Sequence, residues 1–185
     1  MFIQTEPTPN PATLKFLPGK TVLGDGSVDF RAKSEAGASP LARRLFEVEG
    51  VAGVFLGADF ISVTKSETDE WQHIKPAILG AIMEHYLSGA PVLDDGRGEE
   101  ARREEYDAED EDTVRTIKEL LETRVRPAVA NDGGDIVFHG FKDGVVFLHM
   151  RGACSGCPSS TATLRHGIEN LLKHFCPDVQ EVQAV

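Results

Sequence analysis

Trp71, Ile74, Ile78, Ile82 and Tyr86 recur three to four residues apart, the spacing that gathers apolar side chains on one face of a helix, and predict an amphipathic helix over residues 70–88. Pro76 falls inside that span and predicts a kink or a later start. Ahead of this helix the pattern is one of short apolar runs. Phe2–Thr5 and Thr13–Leu17 read as strands separated by Pro7, Pro9 and Pro11, and Val28–Ala32 as a further short strand. Pro40–Glu47 reads as a short helix with Ser39 as N-cap and Pro40 at its first position. Ile61 and Val63 alternate with Ser62 and Thr64, so Val51–Leu56 and Phe60–Lys65 form a hairpin about Gly57-Ala58-Asp59.

A second patterned stretch follows. Val114, Ile117, Leu120, Leu121, Val125, Ala128 and Val129 keep helical phase across Pro127, which predicts one helix from about residue 112 to 130 with a kink at the proline. Asn131-Asp132-Gly133-Gly134 ends it, with both glycines expected at positive φ and Asp132 and Asp135 as turn and capping residues. Ile136–Phe141 and Val145–Met150 are strands joined at Lys142-Asp143-Gly144, a strong hairpin signal. Leu164, Ile168, Leu171, Leu172 and Phe175 define another amphipathic helix that Pro177 stops, and Val179–Val185 reads as a last strand. The expected class is α+β: two small α+β domains, the second in the order α-β-β-α-β with a CxxC pair where its second strand hands over to a helix.

Between the two patterned stretches, residues 94–112 hold 11 acids, 3 bases and almost nothing apolar. Such a segment cannot offset the entropy of ordering by burial, and it reads as an acidic flexible linker between residues 1–93 and 113–185. The chain's net charge of −11 is mostly this segment's. That charge argues against general DNA or RNA binding, and no apolar run is long enough to span a membrane. The N-terminus lacks a basic region followed by an apolar block, so no export signal is read. A start at Met1 is expected of a bacterial cytoplasmic protein, and a mitochondrial matrix is the alternative for a eukaryotic chain already processed.

All three cysteines, Cys154, Cys157 and Cys176, fall in the last 32 residues. An odd number leaves no complete intrachain disulfide framework, which points to a reducing compartment. Cys154-Ser155-Gly156-Cys157-Pro158 lets two sulfurs converge, and a helix start behind it favours thiolate. Several chemistries fit one such pair. A four-cysteine zinc site needs two pairs, and Cys176 is 19 residues on with no nearby chelating histidines. A thioredoxin-like dithiol uses the same position but normally beside a βαβ unit. An iron–sulfur cluster wants four thiolates, which two chains would supply across a two-fold axis. A purely structural role is the fourth reading.

The other candidates are weaker. Cys176 reads as a small hydrophobe at the core edge, with a transient third sulfur ligand as the alternative. His139 and His149 read as strand residues, His73 and His85 as solvated or core residues, and His166 and His174 lie too far apart to chelate.

Asp132-Gly133-Gly134-Asp135 followed by Gly152-Ala153-Cys154-Ser155-Gly156-Cys157-Pro158-Ser159-Ser160 closely resembles the C-terminal domain of the NifU family. The opening Met1-Phe2-Ile3-Gln4-Thr5-Glu6-Pro7-Thr8-Pro9-Asn10-Pro11, with Leu14-Lys15-Phe16-Leu17-Pro18-Gly19, resembles the N-terminal domain of its Nfu-type members. The resemblance implies a non-enzymatic iron–sulfur carrier that holds a [4Fe-4S] cluster between two protomers, one per dimer, through Cys154 and Cys157. It further implies homodimerisation on cluster binding, an upstream assembly scaffold as donor, and apo iron–sulfur proteins as acceptors. Assembly of new clusters on a separate cysteine-bearing domain is not expected, since residues 1–93 contain no cysteine. That N-terminal domain is expected to tune partner choice or merely to add solubility. The rival of another class is a thiol–disulfide oxidoreductase using the same two cysteines.

Overall fold

The computed structural model describes residues 1–94, 104–153 and 158–185, without the side chains of residues 158–160. It is α+β and divides into two compact units, Met1–Glu100 and Ala101–Val185. Each has its own hydrophobic core.

The first unit is a five-stranded antiparallel sheet in the order β1-β2-β5-β4-β3. Its strands are β1 (Gln4–Pro7), β2 (Thr13–Leu17), β3 (Val28–Phe30), β4 (Val51–Leu56) and β5 (Ile61–Lys65). β1 lies two residues later than apolarity suggests, because its pairing with β2 sets Gln4 opposite Leu17 and Pro7 opposite Leu14. Phe2 is left 80% exposed, and Pro7 is tolerated because β1 is an edge strand. β3 ends at Phe30 rather than running to residue 32. The Arg31 backbone N–H turns to the Glu35 carboxylate instead of to a neighbouring strand. Helix α1 (Pro40–Phe46) starts as expected: the Ser39 hydroxyl accepts from the Ala42 N–H at 3.0 Å and donates to the Val92 carbonyl at 2.6 Å.

Helix α2 (Trp71–Ser88) is continuous across Pro76, starting ahead of it at Trp71, and ends at Gly89, which takes the left-handed conformation that closes many helices. Its apolar face buries Ile74, Ile78 and Ile82 in a core with Phe16, Leu41, Leu45, Leu56 and Ile61. Full burial contributes roughly 1.5–3 kcal/mol for each such side chain.

In the second unit, α3 (Glu111–Leu120) and α4 (Arg126–Asn131) are joined by a π-helical turn, Leu121–Val125. The single kinked helix expected across Pro127 is thus realised as a widened turn that ends just before the proline. Widening the helix there accommodates the missing N–H and the ring that would press on residue 123. Strands β7 (Gly134–Lys142) and β8 (Val145–Gly152) form the expected hairpin, and β9 (Glu181–Ala184) pairs parallel to β8. At its turn Asp143 and Gly144 both have positive φ, 52° and 79°, as the tight hairpin turn requires. Helix α5 (Pro158–Phe175) packs Ile168 and Leu172 into the second core.

One element departs from the spacer expected over 94–112. Glu105–Tyr106 forms a short strand, β6, which pairs parallel with Gly140 and Phe141 of β7, and α3 begins at Glu111. Glycine at 140 makes this approach available, since a Cβ there would stand 2.6 Å from the Glu105 carbonyl oxygen. The second sheet therefore runs β6-β7-β8-β9. Among the described residues, no helix is long and apolar enough to cross a membrane.

In the last turn of α2, His85 is 1% exposed, and neither ring nitrogen has a hydrogen-bond partner among the described residues. Burial, then the Arg44 charge from α1, hold its pKa below the ordinary value, and the Ala90 backbone opposes this only in part. Arg44 is itself paired with Glu84 at 3.2 Å. Protonation therefore costs more in the folded than in the unfolded chain. The His85 contribution to stability is full above the unfolded value of about 6.5; it declines below that and is fully lost once pH passes the lower folded value. We expect the urea midpoint of the first unit, followed by the fluorescence of Trp71, the chain's one tryptophan, to fall from pH 7.5 to pH 5.5. His85→Leu should flatten that fall, and an equal fall in the variant would rule His85 out as its source.

Candidate metal centre

The CxxC pair occupies the chain between β8, which ends at Gly152, and α5, which begins at Pro158. Cys154 and Cys157, the expected ligands, lie outside the described residues. Their frame does not. The backbone N–H of Ala153 donates to the Gly133 carbonyl at 3.2 Å, and Gly134 and Asp135 pair with Gly152 and Arg151 in the sheet. The start of β7 and the end of β8 are thereby fastened to each other one residue before Cys154.

Two glycines allow this fastening. Gly133 and Gly152 both have positive φ, 78° and 66°, a region from which side chains are largely barred. Of the two glycines expected to be left-handed, Gly133 is, while Gly134 opens the strand. Asp132 is the C-cap of α4 as expected, its N–H reaching the Val129 and Ala130 carbonyls.

Asp135 is a correction to the sequence reading. It is no exposed turn residue but a strand residue only 6% exposed. Its carboxylate accepts from Arg126 Nε at 2.9 Å and from an Arg126 terminal nitrogen at 3.1 Å, and from the Ile136 N–H at 2.8 Å. The other terminal nitrogen of Arg126 reaches Glu122 at 2.6 Å. The hydrogen bond to Asp135, opposed by burial and reinforced by Glu122, pushes the Arg126 pKa far above its ordinary value. The i, i+4 spacing of Glu122 and Arg126 is visible in the sequence. The link from Arg126 to Asp135 is not, because it exists only once the turn between α4 and β7 has formed.

Cys176 lies in the second core, 5% exposed, among residues that include Leu172, Val179 and Val182. Burial, and secondarily the Asp178 charge, push its thiol pKa up. This is the environment of an inert small hydrophobe.

His139 and His149 sit on β7 and β8 as expected, and they also touch. His149 Nε2 lies 3.1 Å from His139 Nδ1, while His149 Nδ1 lies 2.9 Å from the Val185 carbonyl oxygen. Donation from Nδ1 to that carbonyl leaves Nε2 as the acceptor toward His139. The pair joins the two strands at the bulge between Phe138 and Gly140. Among the described residues, no three His, Cys, Asp or Glu side chains gather to hold a metal.

Residues 3–89 match a family described as the N-terminal part of the scaffold protein Nfu/NifU, and residues 117–183 match the NifU-like domain. Over the whole chain, a protein of Drosophila sechellia named "NFU1 iron-sulfur cluster scaffold homolog, mitochondrial" is 53% identical, and its counterpart in Drosophila virilis 51%. The chain spans 65% and 62% of the length of these two relatives. A NifU-like protein of Saccharomyces cerevisiae, solved in solution, is 28% identical with a TM-score of 0.47, over 52% of this chain and 87% of its own. With an Nfu-type N-terminal domain followed by a NifU-like domain, the chain belongs to the Nfu/NifU family.

Proposed function

We propose that this chain is an iron–sulfur cluster carrier that holds a [4Fe-4S] cluster as cargo between two copies of itself, with Cys154 and Cys157 of each copy as the four ligands. The observation that carries this reading is the thiol count. Of three cysteines, Cys176 is enclosed in the core, so each chain has two left, and a cluster asks for four. Two chains related by a two-fold axis meet that demand with one cluster per dimer. The relatives' name, iron-sulfur cluster scaffold homolog, supports the same class.

Such a cluster is lightly held, since half its ligands depart when the dimer opens, and this suits delivery better than permanent electron transfer. Transfer proceeds by ligand exchange. An acceptor cysteine loses its proton, its thiolate replaces Cys154 or Cys157 on iron, and the displaced thiolate takes up a proton. No electron changes hands, and the carrier performs no catalysis on the cluster. The partners are then an upstream scaffold as donor and apo iron–sulfur proteins as acceptors, with neither nucleic acid nor membrane.

The first unit has no cysteine and a core of its own, which supports a recognition role for residues 1–93, joined to residues 113–185 through the acidic segment 94–112. The cysteine usage suits a reducing compartment. For its identity, the relatives' names speak for mitochondria and lend nothing to a bacterial cytoplasm.

Anaerobic reconstitution with iron and sulfide should give a broad absorption near about 400 nm and about two irons per chain, in a dimer on size exclusion. Cluster content and dimer fraction that failed to rise together would falsify the bridged reading, and a colourless monomer with a reversible dithiol would favour the oxidoreductase. Cys154→Ala or Cys157→Ala should abolish cluster binding with the fold intact, whereas Cys176→Ala should keep the cluster. A Cys176→Ala protein without cluster would return that sulfur to the ligand set.

Deleting residues 1–93 should leave cluster loading unchanged and slow delivery to particular acceptors. Equal transfer rates to several acceptors, with and without the domain, would reduce it to a solubility element.

A further inference from the structure

The Arg126–Asp135 pair is part-buried, its guanidinium side chain 28% and its carboxylate side chain 9% exposed, and the proposed carrier chemistry makes no direct use of it. One end stands in the first turn of α4 beside Pro127 and the other at the second residue of β7. Between them the chain turns through Asp132, Gly133 and Gly134. The Gly133 carbonyl in that turn is the acceptor for the Ala153 N–H, and Ala153 is bonded to Cys154. Displacing β7 relative to α4 displaces that acceptor, and with it the backbone that enters the cysteine pair.

A part-buried ion pair is a poor device for stability alone, because screening and desolvation offset much of its attraction. Its advantage is directional. A guanidinium fork on a carboxylate fixes distance and angle together, whereas apolar contacts can slide. Here the carboxylate is held from two sides, by the fork and by the Ile136 N–H, and the guanidinium is held again by Glu122.

We propose that Arg126 and Asp135 are positioning residues for the cluster site: their fork sets the turn at Gly133, and through the Gly133–Ala153 hydrogen bond it sets the approach of the chain to Cys154. This rests on the reading that Cys154 and Cys157 hold the cluster. Groups bonded directly to a metal ligand typically change metal affinity by about 10–100-fold when altered; the fork acts through the turn and one further hydrogen bond, so an effect at the lower end of that range is expected.

The test uses the full-length reconstituted dimer. The rate of cluster loss to a ferrous chelator and the cluster's visible circular dichroism are measured well below each variant's melting temperature. Asp135→Asn and Arg126→Lys, which keep size or charge but lose the fork, should release the cluster at least about 10-fold faster with an altered dichroism. The double variant Arg126→Met with Asp135→Leu separates positioning from stability. It should keep its melting temperature close to that of the wild type and still release the cluster faster. Wild-type release from that double variant, or from both single variants, would overturn the positioning role. Cys154→Ala serves as control: a cluster retained there would overturn the ligand reading itself, and its loss beside wild-type release in both Asp135→Asn and Arg126→Lys would overturn this inference alone.

Discussion

The arrangement of the second unit follows from the register of one hairpin. With Asp143 and Gly144 both at positive φ, the turn between β7 and β8 is two residues tight, and everything upstream and downstream of it is counted from there. A slip of one residue would exchange the faces of Val146, Leu148 and Met150, which lie in the core, with those of Phe147, His149 and Arg151. The bulge between Phe138 and Gly140 shifts the count once, and the result is that Gly134 meets Gly152 at the far end. Two glycines face each other where the backbones are fastened, and the next residue but one is Cys154.

Much of this was legible before any coordinates, for identifiable reasons. The long helices announced themselves through apolar spacing, and Ser39-Pro40 and Asp143-Gly144 acted as local signals whose meaning does not depend on the rest of the fold. What escaped depended on partners distant in sequence. β6 is two exposed residues inside an acidic run, and it is a strand only because Gly140 leaves room for the Glu105 backbone. Asp135 looked like a turn residue because Asp beside Gly-Gly usually is one. Its partner, Arg126, is nine residues back on the other side of the turn. The sequence predicts a kink where the π turn forms, because periodicity registers that a proline must be accommodated, not how. For the candidate site, the CxxC spacing and the family motif single out Cys154 and Cys157, which lie outside the described residues, while no pattern in the sequence points to the fork behind them.

Cysteine placement ties fold to chemistry by subtraction. Cys176 packs among Leu172, Val179 and Val182, and burial raises its thiol pKa, so it offers neither a ready thiolate nor an accessible sulfur. Had it been exposed, three thiols per chain would have left room for a ligand set within one protomer plus one outside group. In the proposed reading, its enclosure turns a count of three into a count of two, and a second chain then supplies the remainder.

The first unit obeys a different logic. Its core is complete without the second unit's, it contains no cysteine, and its one anomaly is a buried imidazole with no hydrogen-bond partner among the described residues. A neutral histidine tolerates that position because an unprotonated ring carries little charge to desolvate, whereas a protonated ring would meet both the apolar core and the nearby Arg44. Lys15, buried in the same unit at 6% exposure, is met by the Glu6 carboxylate at 3.7 Å and by the face of Phe60; the charged neighbour of His85 is Arg44, of the same sign, so a charge is accommodated at the first position and disfavoured at the second.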